Sequence, residues 1–245
     1  MKPKVSIIVP SYNAEKWIEK CVMSALQQTY ENCEVVVVDN ESVDNTVAIV
    51  ERIKTEFPKL IVDSAKNIYP NCWDEARARG YEIATGEYLT TLASDDFLSQ
   101  DYVKNCMTYI LSAPERIMAF QSHLMSVYEA ASMQPPHMIA HSYKSLEEFK
   151  VLSLARCCVN SPTVFYNRKL YEQGLLETIP EQFGGAADYD LYCRLAAEGV
   201  FIYPSDRWLG YHYRWNEGQA TWNVQREGIN YDKMIQEKWG SKWNL

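Results

Sequence analysis

The chain has 245 residues, of which 47% are hydrophobic, which is enough to build one sizeable domain around a buried core. Its formal net charge of −8 argues against a nucleic-acid partner, because phosphate contacts need a basic stripe, and no apolar run approaches the roughly 18 residues that cross a membrane. The seven cysteines and four histidines lack metal-ligand spacing, so we expect buried free thiols in a reducing, cytoplasmic compartment.

The first half of the chain alternates between strand and helix patterns. The predicted strands are 5–9, 35–38, 60–62 and 88–92, and the predicted helices are about 17–26, 47–57, 73–83 and 101–111. Asn13 suits the N-cap of the first helix. The continuous apolar run from Val35 to Val38 is typical of a strand buried on both faces of a parallel sheet. This order predicts an α/β fold with a doubly wound, mostly parallel central sheet and helices on both faces.

The second half is less regular, and we see neither a linker nor an internal repeat in it. The predicted strands are 118–128, 163–166 and 200–203, and a loop is predicted at 132–141. The predicted helices are about 146–152 and 231–239, and the stretch 184–199 is predicted to pass from a glycine-rich loop into a helix. We therefore predict a single domain over 1–245. The aromatic stretch 208–222 and the final helix would allow contact with a membrane or a partner, or they pack as core.

Polar clusters follow the first, second and fourth predicted strands, at 10–13, 39–44 and 95–96. Ligands of doubly wound sheets bind at the carboxyl ends of the strands, so a site is expected there. Asp39 is placed to accept hydrogen bonds from a base or a ribose, whereas Asp44 would also serve as a helix cap. The adjacent carboxylates Asp95 and Asp96 indicate either a solvated turn or a Mg²⁺ or Mn²⁺ site completed by substrate phosphates.

Later residues add candidates for catalysis and phosphate binding. Asp188 follows two glycines and begins a helix, so it either complements the helix dipole or acts as a general base. Arg77 would reach a diphosphate or lie on a solvated helix face. The aromatic and basic stretch 211–221 is either a strand ending in a loop or a loop that closes over phosphates, with His212 or Arg214 at the charge.

Together these segments resemble the inverting family 2 glycosyltransferases with a GT-A fold. The resemblance covers roughly residues 4 to 221 and is carried by SIIVPSYNAEKWIEKCVMSALQQTYENCEVVVVDNESVDNT, GYEIATGEYLTTLASDD and ADYDLYCRL. It implies transfer of a sugar from a nucleotide-diphosphate donor, such as a UDP-sugar, to a glycan or lipid-linked acceptor, as in polysaccharide, glycolipid or glycoprotein glycan synthesis. It also implies Mn²⁺ or Mg²⁺ as cofactor, and a cytoplasmic enzyme or one peripheral to the inner face of the membrane.

The resemblance also implies roles for individual residues. The nucleotide-sugar-binding residues are Pro10, Ser11, Tyr12, Asn13, Asp39, Asp44, Arg77, Ser94, Asp95 and Arg214. The catalytic base is Asp188, and the metal ligands are Asp95 and Asp96, with His212 as a further candidate. The nucleotide-sugar-binding half is about 1–115, the acceptor and base half is about 116–222, and the C-terminal helix is 223–245.

The chain departs from the family pattern at several supporting positions. Ala93 stands at the first acid of the D-x-D motif, Ala187 at the glutamate before the base, Ala78 at an asparagine, and Asn216 at a frequent histidine. A catalytically weakened or inactive protein that still binds nucleotide-sugars is therefore the alternative function. A sugar-phosphate nucleotidyltransferase or a dinucleotide dehydrogenase would need a glycine-rich loop after the first strand, which VPSYNAEKW lacks.

Overall fold

The computed structural model describes residues 2–68, 74–113, 115–129, 135–217, 219 and 228–245. The strands are β1 (Val5–Ser11), β2 (Cys33–Asp39), β3 (Ile61–Ser64), β4 (Tyr88–Thr91), β5 (Phe97–Leu98), β6 (Ala119–Tyr128), β7 (His137–Ile139), β8 (Phe165–Asn167) and β9 (Ile202–Trp215). The helices are α1 (Ile18–Leu26), α2 (Thr46–Glu56), α3 (Asp74–Ile83), α4 (Tyr102–Ser112), α5 (Leu146–Ser153), α6 (Arg168–Glu172), α7 (Pro180–Phe183), α8 (Ala187–Ala197) and α9 (Tyr231–Trp243). Short 3₁₀ turns lie at Ser161–Thr163 and Gly184–Ala186.

One sheet runs through the molecule in the order β3-β2-β1-β4-β8-β6-β9-β5, with β7 paired to β6. The strands from β3 to β4 are parallel, and so are β6 and β9. The strands β8, β5 and β7 run antiparallel to their neighbours. The predicted α/β fold is confirmed, and the parallel block brings the ends of β1, β2 and β4 to one edge of the sheet.

The continuous apolar runs are explained by cores on both faces of the sheet. Along β2, Val35 and Val37 pack into one core, and Val36 and Val38 pack into the other, all of them buried. Successive side chains of a strand point to opposite faces, so a strand covered on both sides needs apolar residues at every position.

The final helix packs against the rest of the protein through Ile235 and Trp239, which are buried with Phe183 and Tyr189. Beneath it, the fully buried carboxylate of Asp190 accepts hydrogen bonds from the helix. This is the core-packing alternative that the sequence left open for that helix. No helix in the described ranges is both long and apolar enough to cross a membrane.

Three sequence expectations are corrected. Asn13 is not the N-cap of α1, because the helix begins at Ile18 and Asn13 has a left-handed backbone with φ of 47°. The loop predicted at 132–141 contains β7, and β9 is one continuous strand of 14 residues that joins the strand predicted at 200–203 to the stretch 211–221, for which a strand ending in a loop was one alternative. Trp73 of the predicted third helix, and residues 218 and 220–222 of the aromatic stretch, lie outside the described residues.

Candidate active site

The turn after β1 is buried where it leaves the sheet and exposed beyond it. Pro10 and Ser11 are buried, whereas Tyr12 and Asn13 are exposed. The β1–β2 register places Ser11 opposite Asp39, at the edge of the sheet. The Ser11 hydroxyl is buried and has no hydrogen-bond partner among the described residues.

Asp39 and Asn40 add two more buried oxygens without partners at this edge. Asp39 is 9% exposed and accepts the Ser42 N–H at 2.9 Å on Oδ2, while its Oδ1 has no partner in the described part of the chain. The same is true of Oδ1 of Asn40, which sequence reasoning did not select. Buried polar atoms without partners are costly, so an edge carrying three of them is suited to bind a polar ligand.

Asp44 connects the turn after β1 with the start of α2 through hydrogen bonds to both of its carboxylate oxygens. Oδ2 accepts the Glu15 N–H at 3.1 Å, and Oδ1 accepts the Thr46 N–H at 2.9 Å and its hydroxyl. Burial opposes ionisation, but the Thr46 hydrogen bonds prevail and lower the pKa of Asp44. Beside it, Asn13 Oδ1 accepts the Val43 N–H at 2.9 Å. The N-cap of α2 is Asn45, so Asp44 is not the cap; it holds the turn before the helix, and its contact with a nucleotide stays a prediction.

Asp95 lies half-buried after β4, bracketed by the end of β9. Its Oδ2 accepts the Asn216 amide at 2.8 Å, and its backbone carbonyl accepts Arg214 Nε at 2.6 Å. Burial raises the pKa of Asp95, although the Asn216 hydrogen bond opposes the rise. Ser94 is half-buried beside it. The structure thus brings together Asp95 and Arg214, which the sequence predicted for one site. Asn216 also contacts Asp95 and holds its side chain in place.

Asp96 differs from Asp95 in that its side chain is only 1% exposed. Oδ2 accepts the Tyr211 hydroxyl at 2.7 Å, and Oδ1 accepts the Arg214 backbone N–H at 2.7 Å. Burial, and then the charge of Asp95, raise its pKa well above the usual range. Both oxygens are engaged inside the protein and help to hold the end of β9 in place, and the predicted metal contact of Asp96 stays a prediction.

His212 lies on β9, opposite Phe97 of β5. Its ring stacks on Phe97 with centroids 4.3 Å apart, and its Nε2 lies 3.1 Å from the Ser99 hydroxyl. Burial, followed by the charge of Lys20, lowers the pKa of His212, which favours the neutral ring. These contacts describe a packed histidine whose buried Nδ1 has no partner among the described residues, and its role as a metal ligand stays a prediction.

Few side chains of the described residues are therefore placed to bind a metal ion together. No group of three His, Cys, Asp or Glu side chains is placed to hold an ion within the described ranges. The half-buried Asp95 carboxylate alone still suits Mg²⁺ or Mn²⁺, which proteins commonly bind through one or two carboxylates plus substrate phosphates.

Asp188 lies half-buried at the start of α8, and its Oδ1 accepts the Tyr189 N–H at 2.7 Å. Burial raises the pKa of Asp188, while a hydrogen bond to Ser161 and the charge of Arg77 oppose the rise. The Arg77 guanidinium, 8% exposed, binds Asp74 and donates to Thr178 Oγ1 at 2.8 Å. Arg77 thus lies near the candidate base in a buried ion pair, and its predicted contact with a diphosphate stays a prediction.

Glu129 contacts the Arg214 side chain and was not selected from the sequence. It follows β6, accepts a hydrogen bond from the Trp17 indole, and has Oε1 3.9 Å from Arg214 Nη1. A single acid after a strand carries no motif, and its partners lie more than 80 residues away on either side of it in sequence. It links the start of α1 to the Arg214 region.

Comparison with known proteins finds relatives that are named for sugar transfer or glycan synthesis. The chain is 28% identical over 201 residues to a chondroitin synthase of Pasteurella multocida (strain Pm70), covering 81% of this chain and 19% of the relative, so it spans about a fifth of that relative. It is 26% identical over 232 residues to the UDP-Glc:alpha-D-GlcNAc-diphosphoundecaprenol beta-1,3-glucosyltransferase WfaP of Escherichia coli, covering 94% of this chain and 85% of the relative.

Solved structures show the same fold at low sequence identity. S. aureus TarS 1-349 in complex with UDP-GlcNAc superposes with a TM-score of 0.71 at 19% identity, over 98% of this chain and 71% of that one. The mannosyltransferase PcManGT from Pyrobaculum calidifontis, in complex with GDP-Man and Mn²⁺, gives 0.63 at 20% identity, over 97% and 69%. These likenesses show a GT-A fold. The family model "Glycosyl transferase family 2" matches residues 6–178, and the chain belongs to that family.

Proposed function

We propose that this chain is an inverting glycosyltransferase that moves a sugar from a nucleotide-diphosphate sugar to an acceptor hydroxyl. The observation that carries the proposal is Asp188, a half-buried carboxylate at the mouth of α8 whose pKa is raised by burial. A raised pKa makes a carboxylate a stronger base and brings it nearer to neutral working pH.

We further propose a UDP-sugar as donor and a polysaccharide or lipid-linked glycan as acceptor. The support comes from relatives named for chondroitin synthesis and for transfer from UDP-Glc, and from a structural neighbour holding UDP-GlcNAc. The six described cysteines are free thiols, which supports a cytoplasmic location.

Asp95 is the residue that would hold Mn²⁺ or Mg²⁺, with substrate phosphates in the remaining positions. When bound there, the ion would neutralise the negative charge that develops on the leaving diphosphate. The Arg214 guanidinium, fixed over the Asp95 carbonyl at 2.6 Å, adds a positive charge on the same side.

The reaction would be a single displacement. Asp188 takes the proton from the acceptor hydroxyl while that oxygen bonds to the anomeric carbon of the donor sugar. The bond from that carbon to the phosphate oxygen breaks on the opposite face, and its electron pair leaves with the diphosphate. The configuration at the anomeric carbon therefore inverts, and the two products are the glycosylated acceptor and the nucleoside diphosphate.

The test is Asp188→Asn, which keeps the size of the side chain but removes the base. We expect donor binding to persist and turnover to fall by about 10²–10⁴-fold, the usual contribution of a general base. Hydrolysis and transfer are measured over UDP-, GDP- and dTDP-sugars with Mn²⁺. Asp206→Asn, a change at an exposed aspartate, is the control and keeps its rate. Turnover of Asp188→Asn at the control rate would overturn the base assignment.

A second candidate function is a nucleotide-sugar-binding protein with little or no activity. The observation that favours it is alanine at two supporting positions, Ala93 and Ala187, where the family pattern has acids. Calorimetry with UDP-GlcNAc distinguishes the two functions. Metal-dependent binding that Asp95→Ala abolishes, without turnover of any donor by the unmodified chain, would establish the binding protein.

A further inference from the structure

We propose that the ring of Tyr231, on the C-terminal helix α9, holds the glycine turn before α8 in place and thereby sets the position of the Asp188 carboxylate. This inference rests on the proposed function of Asp188 as the base. Tyr231 is a positioning residue in it, because it acts through Gly184 and does not have to touch the substrate.

Gly184 is the residue at which the chain passes from α7 towards α8. It follows the last residue of α7 and begins the 3₁₀ turn Gly184–Ala186, after which α8 starts at Ala187. Its φ of 49° and ψ of −134° form a backbone conformation that residues with a side chain rarely adopt. Asp188 is the second residue of α8, so a change in the backbone at Gly184 would move the start of the helix that carries it.

The Tyr231 ring lies directly against this glycine. A Cβ atom at Gly184 would lie 2.8 Å from Cε2 and 2.8 Å from Cζ of the ring, closer than Cβ atoms come to other heavy atoms in proteins. The ring therefore fills the space beside the glycine backbone. Because an aromatic ring does not bend, the turn cannot move towards α9 while Tyr231 stays in place.

A second set of contacts fixes α8 to the same helix just beyond the candidate base. Asp190 Oδ1 accepts hydrogen bonds from Lys238 Nζ at 2.7 Å and from Trp239 Nε1 at 2.8 Å. Phe183 and Ala187, which flank the glycine turn, are buried in one cluster with Trp239. The candidate base thus lies between two points at which α9 holds the chain, and Tyr231 supplies the first of them.

The position of a base affects the chemical step more than donor binding. The carboxylate of Asp95 and the buried oxygens at the ends of β1 and β2 lie on other elements, so a change at Tyr231 should leave donor binding intact. Misplacing a catalytic group by about 1 Å can cost on the order of 10²-fold in rate. A displaced base therefore predicts a lower kcat at an unchanged KM.

The experiment measures kcat and KM for hydrolysis of UDP-GlcNAc with Mn²⁺, together with urea unfolding of each variant. We expect Tyr231→Ala to lower kcat by about 10–10²-fold and to leave KM unchanged. Tyr231→Phe keeps the ring atoms beside Gly184 and should keep the wild-type kcat. Trp243→Ala is the matched control, because it removes a partly buried ring from the other end of α9 and should lower the free energy of unfolding without lowering kcat.

Two results of this comparison would overturn the inference. One is a wild-type kcat in Tyr231→Ala. The other is a loss of kcat in Tyr231→Phe or in Trp243→Ala as large as that in Tyr231→Ala, since the effect would then not come from the ring at Gly184.

Gly184→Ala tests the same contact from the other side. Its Cβ would meet the Tyr231 ring and its backbone would be strained, so we expect kcat to fall in this variant too. In the Tyr231→Ala background only the strain remains, and Gly184→Ala should lower kcat and the free energy of unfolding by less than it does in the wild-type chain. Additive effects would overturn the inference. If Tyr231→Ala does not fold, Gly184→Ala decides, and an unchanged kcat there overturns the inference.

Asp188→Asn separates this inference from the proposed function. Wild-type hydrolysis by Asp188→Asn would sink the proposed function, whatever the Tyr231 variants do. An inactive Asp188→Asn together with a wild-type kcat in Tyr231→Ala would leave the base in place and sink only the role of Tyr231.

Discussion

Replacing Asp96 by asparagine tests whether the two adjacent carboxylates have different roles. Asp96 accepts the Tyr211 hydroxyl on one oxygen and the Arg214 backbone N–H on the other, and it is almost fully buried. Asparagine offers one oxygen and one NH₂ group, so one of these two donors would face another donor. The perturbation therefore acts on the junction between the turn after β4 and the end of β9.

The size of the effect follows from these contacts. A hydrogen bond to a charged group contributes about 1.5–3 kcal/mol, and a buried donor left without an acceptor costs about 1–3 kcal/mol. Part of this loss is offset because asparagine removes a charge whose burial is itself unfavourable, as the raised pKa of Asp96 indicates. We expect Asp96→Asn to lower the free energy of unfolding by about 2 kcal/mol.

The assay combines urea unfolding with calorimetry of UDP-GlcNAc binding in the presence and absence of Mn²⁺. Asp95→Asn is the matched control: it should cost about 1 kcal/mol or less, because Asp95 is half-buried, yet lose the Mn²⁺-dependent part of binding. The opposite pattern, with Asp96→Asn as stable as wild type and without metal-dependent binding, would refute the assignment and make Asp96 the metal ligand.

Two further predictions concern stability. Burial works against the ionised form of Glu34, but hydrogen bonds, first among them that from Lys4, lower its pKa to about 2. The stability that Glu34 contributes is therefore complete above the ordinary pKa near 4.5 and is lost as pH falls through about 2. We expect Glu34→Gln to lower the free energy of unfolding by about 3 kcal/mol at pH 7 and to weaken its decline at acid pH, as measured by urea unfolding at several pH values. A decline as steep as in wild type would contradict this. Asp190→Ala leaves Lys238 and Trp239 without their buried acceptor, and we expect a loss of about 3–5 kcal/mol in urea unfolding. A loss below about 1 kcal/mol would show that α9 is held by its apolar contacts alone.

The parts of the fold that were predictable from sequence are those whose signal is local. The continuous run in β2 reflects burial on both faces, and the strand formed as predicted. A two-residue strand such as β5 has no period to detect, and it exists because Phe97 and Leu98 pair with β9. The continuity of β9 between residues 203 and 211 was not predicted, because this part contains exposed polar residues and its pairing with β6 shifts register.

In the candidate site, too, local sequence signals were sufficient for some residues, whereas the contacts of others depend on distant parts of the chain. Asp95 and Asp188 could be selected because each follows a recognisable element boundary. Adjacent acids in sequence look equivalent, however, and only the distant Tyr211 makes Asp96 a buried support. Asn13 takes its left-handed backbone in a turn tied to Val43, 30 residues away, which no cap preference reveals.

The strand β6 connects the two ends of the proposed reaction. Its Ser122 carbonyl anchors the turn behind the candidate base, and its Val127 pairs with Arg214, which lies over the carbonyl of Asp95. Five residues of strand separate these points, a span of about 16 Å that a hydrogen-bonded sheet does not let vary. One strand therefore fixes the positions of the turn near α8 and of the Arg214 region relative to each other.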